Sequence, residues 1–290
     1  MTSISITHYT DPACPFAYSA SPALAVLQWR YDDQLDWRLV TIGLSENPER
    51  YVELGYTPTR MAIGNLGFRR YGMPFAFEPR PRVTASSRAC RTIVATRLLD
   101  PSRQYDVHRA LQLAWFNTTL LLDEAEDIAL ALAAVEGLDT ARIVAAIDDE
   151  QTVAAYEADK AETRSAEGGP TEFQGKARQT DGAVRYSAPS LVFEQDGKRL
   201  EAGGMQTIEA YDVLIANLDQ TLVREAPPES PLAILERFPA GVTSQEVAAI
   251  MAPNNQVPDR ASAERALVEL VGAGSARRTP LGDDALWQPA

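Results

Sequence analysis

The sequence is poor in cysteine and histidine and contains no long run of apolar residues. Only two cysteines, Cys14 and Cys90, occur in 290 residues, so a disulfide framework cannot staple the fold. The two histidines, His8 and His108, have no cysteine or carboxylate at ligand spacing, which argues against a metal site. No apolar window reaches the length that spans a bilayer. We therefore expect a soluble chain that folds by burying an ordinary apolar core.

The sequence also lacks several signatures of targeting and of binding. Residues 1–8 have neither the basic start nor the apolar run of a secretory signal, and we expect the chain in the cytoplasm of a bacterium. No glycine-rich phosphate loop or internal repeat is present. Acidic residues outnumber basic ones by 40 to 27, and the net charge of −13 would repel both nucleic acid and an anionic membrane. Neither is an expected partner.

One cysteine stands where a strand gives way to a helix. Residues 3–9 alternate as in a β-strand, residues 18–29 fit a helix, and between them lies Asp11-Pro12-Ala13-Cys14-Pro15-Phe16-Ala17. At a helix N-terminus the backbone N–H groups and the helix dipole favour a thiolate, and proline suits the first turn. This pattern predicts a nucleophilic Cys14 with a lowered pKa. The alternative is a cysteine that acts as a small buried apolar side chain.

Two later segments complete a pattern with this motif. One is Arg185-Tyr186-Ser187-Ala188-Pro189-Ser190-Leu191-Val192-Phe193, and the other is Gly203-Gly204-Met205-Gln206 with an amphipathic run to residue 222. Over residues 1–224 the chain resembles the DsbA-like branch of the thioredoxin superfamily, in the group of FrnE-type oxidoreductases, 2-hydroxychromene-2-carboxylate isomerases and kappa-class glutathione transferases. The resemblance implies an α/β, thioredoxin-like fold with a large helical insertion. It also implies a cis Ala188–Pro189 bond, catalytic roles for Cys14, Pro15 and Pro189, and a ligand that pairs with the Ala188 backbone.

The second cysteine of the dithiol members is missing. They carry it three residues after the first, where this chain has Ala17. Chemistry at this motif is then monothiol: Cys14 attacks a disulfide or an electrophile, and an outside thiol releases it. We expect no tightly bound cofactor but a low-molecular-weight thiol, glutathione or an equivalent, as cosubstrate. The apolar neighbours of Cys90 at helical spacing predict a packed core thiol, and a distant resolving thiol is the alternative.

Substrate-binding residues are expected in three places. Residues 68–82 combine four arginines with three phenylalanines and a tyrosine, a mixture that can bind an anionic, partly apolar small molecule or simply anchor a solvated loop. The candidates are Tyr71, Phe77 and Arg82 in this loop, Phe16 and Ala188 beside the catalytic residues, and Gly204 before the last helix. Kappa transferases hold the amino end of glutathione with a serine and an acidic residue at that turn. Here the turn reads Gly204-Met205-Gln206, which leaves the identity of the thiol open.

The remaining pattern fits an elaborated thioredoxin fold. Residues 35–44 predict the second strand, and a helical insertion from about 58 to 180 contains helices at 88–99, 105–116, 125–136 and 140–164. Asp196-Gly197 between two strand-like runs, 191–194 and 199–202, predicts a β-hairpin. The expected order is strand, helix, strand, helical insertion, hairpin and helix.

A proline-rich stretch, 224–231, separates this domain from a C-terminal module, 229–290. Helices are predicted at 232–238, after a capping box at Thr243-Ser244-Gln245-Glu246, and at 261–271, with strands at 276–279 and 285–288. This order is winged-helix-like. The module holds 5 arginines, no lysine and 8 acidic residues, which argues against DNA binding. We expect a packing role or a homodimer contact.

Three functions follow from these features. The first is a cytoplasmic monothiol thiol–disulfide oxidoreductase that acts through Cys14 on a small-molecule thiol or disulfide. The second is a small-thiol S-transferase or isomerase of the kappa type. The third is a non-catalytic scaffold that has lost the resolving cysteine. The reactivity of Cys14 separates the enzymes from the scaffold.

Overall fold

A four-stranded mixed sheet forms the centre of the larger unit. The computed structural model describes residues 3–180 and 182–290. The strands are β1 Ile4–Thr10, β2 Leu35–Thr41, β3 Ser190–Gln195 and β4 Lys198–Gly203. They lie in the order β2-β1-β3-β4, with β1 and β2 parallel and the other neighbours antiparallel. Because helices cover both faces, Ile4, Ile6 and Leu191 are fully buried. This is the predicted thioredoxin-like α/β fold.

The helices of this unit surround the sheet and fill the segment between β2 and β3. They are α1 Pro15–Ser19, α2 Ser21–Tyr31, α3 Glu49–Glu53, α4 Pro58–Leu66, α5 Ser87–Leu99, α6 Gln104–Asn117, α7 Ala125–Leu132, α8 Thr140–Ala145, α9 Glu150–Thr163, α10 Pro170–Phe173 and, after the hairpin, α11 Ile208–Leu218. Across the described ranges, no helix is both long enough and apolar enough to cross a bilayer.

The hairpin prediction is confirmed. β3 and β4 pair in antiparallel register through Asp196 and Gly197, whose φ angles are +50° and +78°. A two-residue turn with both φ values positive matches the twist of its strands, and it is the turn that Asp-Gly favours. The hairpin brings β3 beside β1, which places the loop before β3 next to the end of β1.

The helical insertion is present, but one predicted helix is broken. The predicted single helix over 140–164 is wrong, because residues 146–149 separate α8 from α9. Within this break Ile147 is fully buried and Asp148 pairs with Arg88 and Arg91 of α5. Asp149 then has an extended backbone before α9. Contacts with α5 therefore override a continuous helical pattern.

The C-terminal module has its own three-stranded sheet. Its elements are α12 Pro231–Arg237, β5 Val242–Thr243, α13 Ser244–Met251, α14 Arg260–Gly272, β6 Ala276–Leu281 and β7 Asp284–Pro289. The strand order is β5-β7-β6, all antiparallel. The capping box is confirmed, since the Thr243 side chain accepts from the Glu246 N–H and the Glu246 carboxylate accepts from the Thr243 N–H. The winged-helix assignment and the domain boundaries stay predictions.

The module packs on one face of α2. Ala25, Val26 and Trp29 of α2 belong to the same buried cluster as Val247 and Ile250 of α13. Next to this cluster, Glu246, 1% exposed, accepts two hydrogen bonds of 2.8 Å from Arg109 of α6. The module therefore shares a core with the larger unit and has a packing role.

The module also holds the loop at residues 69–75. Arg260 donates to the Gly72 carbonyl at 3.0 Å, and Asp283 accepts from the Phe75 N–H at 2.9 Å. Gly72 has φ +86°, and a Cβ there would lie 2.3 Å from the Gln245 side chain. Only glycine combines this backbone angle with so close a neighbour. The module thus fixes the backbone beside Tyr71.

Candidate functional site

Cys14 lies at the junction of β1 and α1. Its N–H donates to the Asp11 carbonyl at 3.1 Å, and Pro15 is the first residue of α1. The backbone N–H groups of Phe16 and Ala17 favour the thiolate and act to lower the pKa of Cys14. The sequence therefore places Cys14 at a helix start, as expected from its proline.

The loop before β3 covers the sulfur. The peptide bond between Ala188 and Pro189 is cis, which is the isomer that the family resemblance implies. The Cys14 Sγ donates to the Ala188 carbonyl at 3.2 Å, although the two residues are 174 positions apart. This contact brings together three of the predicted site residues, Cys14, Ala188 and Pro189.

The predicted lowering of the Cys14 pKa is wrong. Burial raises the pKa of the Cys14 thiol to about 11, and the nearby Asp11 carboxylate adds to the rise. The N–H groups of Phe16 and Ala17 and the charge of Arg185 oppose it without cancelling it. Cys14 is only 7% exposed and packs in a cluster with Ala17 and Ala188. Loss of water around the sulfur outweighs the helix start.

This burial predicts an unusual pH profile for alkylation. With a pKa of about 11, only about one chain in ten thousand carries the Cys14 thiolate at pH 7. The iodoacetamide rate constant should therefore keep rising between pH 8 and pH 10, where an ordinary thiol levels off. Mass spectrometry of the Cys14 peptide over this range measures it, with Cys14→Ser as the blank. A plateau near pH 8.5 would contradict the raised pKa.

Asp11 connects the Cys14 loop to the helical insertion. Its buried carboxylate accepts from the N–H groups of Ala13 and Leu44, the Ser86 hydroxyl and the Cys90 thiol. Burial raises the pKa of Asp11, and these donors counteract the rise. Cys90 is fully buried, and both cysteines are free. Cys90 thus occupies a core position, as its apolar neighbours predicted.

A basic pocket opens beside the sulfur. Its volume is about 530 Å³, and it is lined by Cys14, Phe16, Leu44, Tyr71, Lys176, Arg178, Arg185, Ser187, Ala188, Gly204, Met205, Gln206 and Thr207. Three of these side chains are cationic, and no acidic side chain in the described part of the chain lines the pocket. The chain as a whole carries a charge of −13. The pocket is therefore suited to an anionic ligand.

Two of the cations are held by backbone pairing. Arg178 and Arg185 exchange two backbone hydrogen bonds of 2.8 Å, and Arg185 also donates to the Tyr186 carbonyl. Lys176 lies along Gly203, where a Cβ would come within 2.8 Å of the lysine Cβ. Sequence reasoning missed these three residues, because the segment has no strand or helix period. The signal was three basic residues within 176–185 of an acidic chain.

The predicted substrate-binding residues separate into two groups. Phe16, Tyr71, Ala188 and Gly204 line the basic pocket together with Cys14. Arg82 instead pairs with Asp123 at 2.7 Å and, like Pro15, lines a second pocket. Phe77 lines neither pocket and lies under the guanidinium of Arg69. The arginine-rich loop thus contributes Tyr71 to the space beside Cys14.

The two histidines meet in the core. The ring centroids of His8 and His108 are 6.1 Å apart, and burial lowers the pKa of His8 to about 4. Across residues 3–180 and 182–290, no three histidine, cysteine or acidic side chains are placed to hold a metal ion. We therefore treat the histidines as neutral core residues.

A thioredoxin-like sheet with a cysteine at the first helix start and a cis-proline opposite it defines the thioredoxin class of proteins. A family model, the DSBA-like thioredoxin domain, matches residues 5–188. The chain belongs to this family of thiol–disulfide oxidoreductases.

Solved structures share the fold. The cytosolic disulfide reductase DsbM from Pseudomonas aeruginosa is 18% identical with a TM-score of 0.54, covering 75% of this chain and 100% of that one; it has also been solved with GSH. A protein assigned as a disulfide isomerase from Nitrosomonas europaea is 17% identical with a TM-score of 0.57. The match covers 76% of this chain and 98% of that one. A probable DsbA oxidoreductase from Streptomyces coelicolor is 14% identical with a TM-score of 0.54, covering 78% and 93%. A comparison with curated proteins gives no match.

Proposed function

We propose that this protein is a cytoplasmic, monothiol disulfide reductase that uses Cys14 and an anionic low-molecular-weight thiol. The observation that carries the proposal is the basic pocket, in which Cys14 shares a wall with Lys176, Arg178 and Arg185. Small thiols of the glutathione type carry carboxylates, and arginine and lysine bind carboxylates through charge-assisted hydrogen bonds. A fold neighbour, DsbM, is a cytosolic disulfide reductase solved with GSH, which supports this class of thiol.

The direction of the reaction follows from the pKa of Cys14. A protein thiol with a low pKa makes its disulfide a good oxidant, because the reduced thiolate is stabilised. Here burial raises the pKa of Cys14, so the thiolate gains no such stabilisation. A mixed disulfide on Cys14 then loses Cys14 slowly, since a thiol with a high pKa is a poor leaving group. Cys14 therefore serves better as a reductant than as an oxidant.

The cycle consists of three exchanges. Cys14 attacks a substrate disulfide RSSR, forms Cys14–S–S–R and releases RSH, with the cysteine proton passing to the leaving sulfur. A small thiol R′SH attacks the Cys14 sulfur, which gives Cys14–S–S–R′ and a second RSH. A second R′SH then restores Cys14 and leaves as R′SSR′. Two small thiols are oxidised and one substrate disulfide is reduced.

The burial of Cys14 favours a second candidate, a non-catalytic scaffold. A thiol that is 7% exposed with a raised pKa is typical of an inert structural cysteine. In that case Cys14 would take part in no reaction, and the protein would act only through its folded surface. The scaffold predicts no reaction of Cys14 with small disulfides, whereas the reductase predicts a stable adduct.

Mixed-disulfide formation decides between the two. After incubation with oxidised glutathione, intact mass should show one glutathione per chain in the unmodified protein and in Cys90→Ser, because Cys90 is fully buried. Cys14→Ser should show none. A bridge between Cys14 and Cys90 would overturn the monothiol cycle, and an unmodified chain after prolonged incubation would support the scaffold.

A further inference from the structure

A second pocket lies on the other side of the Cys14 segment. Its volume is about 320 Å³, and its walls come from α3, α4, the loop at 76–84 and the end of α6. The aromatic members of its lining are Tyr51, Tyr56, Phe68, Trp115 and Phe116. Flat rings on several sides suit a flat apolar group, which can stack on them.

The second pocket also contains two cations that form no ion pair in the described part of the chain, although the Asp123 carboxylate acts on Arg80 from beyond ion-pair distance. Among the described residues, neither Arg60 nor Arg80 forms an ion pair: Arg60 donates to the Gly55 carbonyl, and Arg80 donates to the Trp115 and Leu120 carbonyls. The Arg80 guanidinium also lies 5.1 Å from the Trp115 ring centroid. Burial lowers the pKa of Arg80 to about 10, so it stays charged at neutral pH.

The other charges in this pocket are accounted for. Arg82 pairs with Asp123 and Glu124, and Glu78 is the one acidic side chain in the described lining. Two cations without a carboxylate partner therefore face one anion. In a chain of net charge −13 this local excess of positive charge favours an anionic ligand.

The two pockets meet at the reactive segment. Cys14 and Phe16 line the basic pocket, whereas Ala13 and Pro15 line the second pocket, and Leu44 lines both. Consecutive residues of one segment thus alternate between the two spaces. The second pocket therefore lies directly beside the segment that carries Cys14.

We propose that the second pocket binds the leaving half of the substrate, a flat aromatic or apolar group that carries a carboxylate. Its rings would hold the apolar part, and Arg60 and Arg80 would hold the charge. This inference rests on the proposed reductase function for its role in catalysis, but the binding itself needs no reaction at Cys14. The substrate class is then an aromatic, anionic disulfide rather than an extended protein chain.

Binding is tested without chemistry in full-length Cys14→Ser. The probe is 1-naphthoate, titrated against tryptophan fluorescence, since Trp115 lines the second pocket. We expect saturable quenching that weakens about tenfold in Arg60→Gln and in Arg80→Gln, the loss of one charge-assisted hydrogen bond. Arg142→Gln on α8 and Lys176→Gln in the basic pocket are the controls and should leave the affinity unchanged.

Several results would overturn the assignment. If the cationic counterpart 1-naphthylmethylamine binds as tightly as 1-naphthoate, the charges of Arg60 and Arg80 do not determine the ligand. An affinity for 1-naphthoate in Arg60→Gln and Arg80→Gln equal to that of the parent Cys14→Ser protein would also remove the role of charge. Arg60→Gln stays informative even where Arg80→Gln fails to fold, because the Arg60 side chain makes a single hydrogen bond. Weakening by Lys176→Gln instead would move the ligand to the basic pocket.

A reaction experiment connects the pocket to Cys14. With 5,5′-dithiobis(2-nitrobenzoate), the Cys14 sulfur bonds to one thionitrobenzoate sulfur, the reagent's S–S bond breaks, and thionitrobenzoate and a proton are released. Arg60→Gln should slow this reaction several-fold but leave the reaction with neutral bis(2-hydroxyethyl) disulfide unchanged. An equal effect on both reagents would overturn the substrate class. Naphthoate binding without any reaction of Cys14 would refute the reductase and retain the site.

Discussion

Ala17→Cys should turn the monothiol centre into a dithiol one. Oxidised glutathione would then leave an internal disulfide in place of the stable adduct, and the lifetime of the adduct should fall at least about 100-fold, because an intramolecular thiol acts at a high effective concentration. Ala17 is one helical turn from Cys14, and its backbone N–H acts on the Cys14 sulfur, where it favours the thiolate. The measurement is intact mass against time after addition of one equivalent of oxidised glutathione.

The matched control is Ser19→Cys, which adds a buried thiol to the same short helix on a different face. This variant should keep the adduct. If Ala17→Cys also retains glutathione for as long as the unmodified chain, position 17 does not face the sulfur, and the equivalence of Ala17 with the second cysteine of the dithiol members would be wrong.

Glu246→Ala should be among the most destabilising single changes in the chain. The Glu246 carboxylate, 1% exposed, accepts from both Nη groups of Arg109 at 2.8 Å and from the Thr243 N–H at 2.7 Å. Arg109 lowers the pKa of Glu246, so the carboxylate is ionised at neutral pH. Removing it leaves a partly buried guanidinium without its partner and abolishes the capping box. We expect a loss of about 3 kcal/mol in the free energy of unfolding.

Urea denaturation followed by circular dichroism measures this loss. Glu246→Gln keeps an acceptor for Thr243 but removes the charge, so it should cost less than Glu246→Ala. Because the pair joins α13 to α6, Glu246→Ala should also increase proteolysis within residues 224–231 of the native protein. A change below about 1 kcal/mol with unaltered proteolysis would show that the pair contributes little to docking of the module.

Local signals in the sequence predicted the local structure well. Asp196-Gly197 defines its turn through two positive φ angles, and the Thr243 capping box needs only four consecutive residues. The placement of Cys14 at a helix start follows from Pro15 in the same way. Each of these features depends on the chemistry of a few neighbours, which the sequence displays directly.

Features set by distant residues were not predictable. The pKa of Cys14 depends on a loop 174 positions away, whose carbonyl and apolar side chains enclose the sulfur. The sequence left open whether Arg82 binds a ligand or a carboxylate of the protein. In the fold it pairs with Asp123, 41 residues later. The break between α8 and α9 has the same origin, because Asp148 finds its arginines on α5. None of these partners is visible from a periodicity.

Shortening the chain to the part that the family model recognises would damage what remains. The match ends at residue 188, so it leaves out β3, β4 and α11 of the thioredoxin-like unit and the whole C-terminal module. Even a cut after residue 224 would expose Trp29 and its neighbours on α2 to solvent. It would also remove the hydrogen bonds that Arg260 and Asp283 make to the loop at 69–75. The shortened protein should aggregate, and its Tyr71 side of the thiol pocket should become disordered. The C-terminal module lies outside the family match, yet the core and the loop beside the thiol pocket both depend on it.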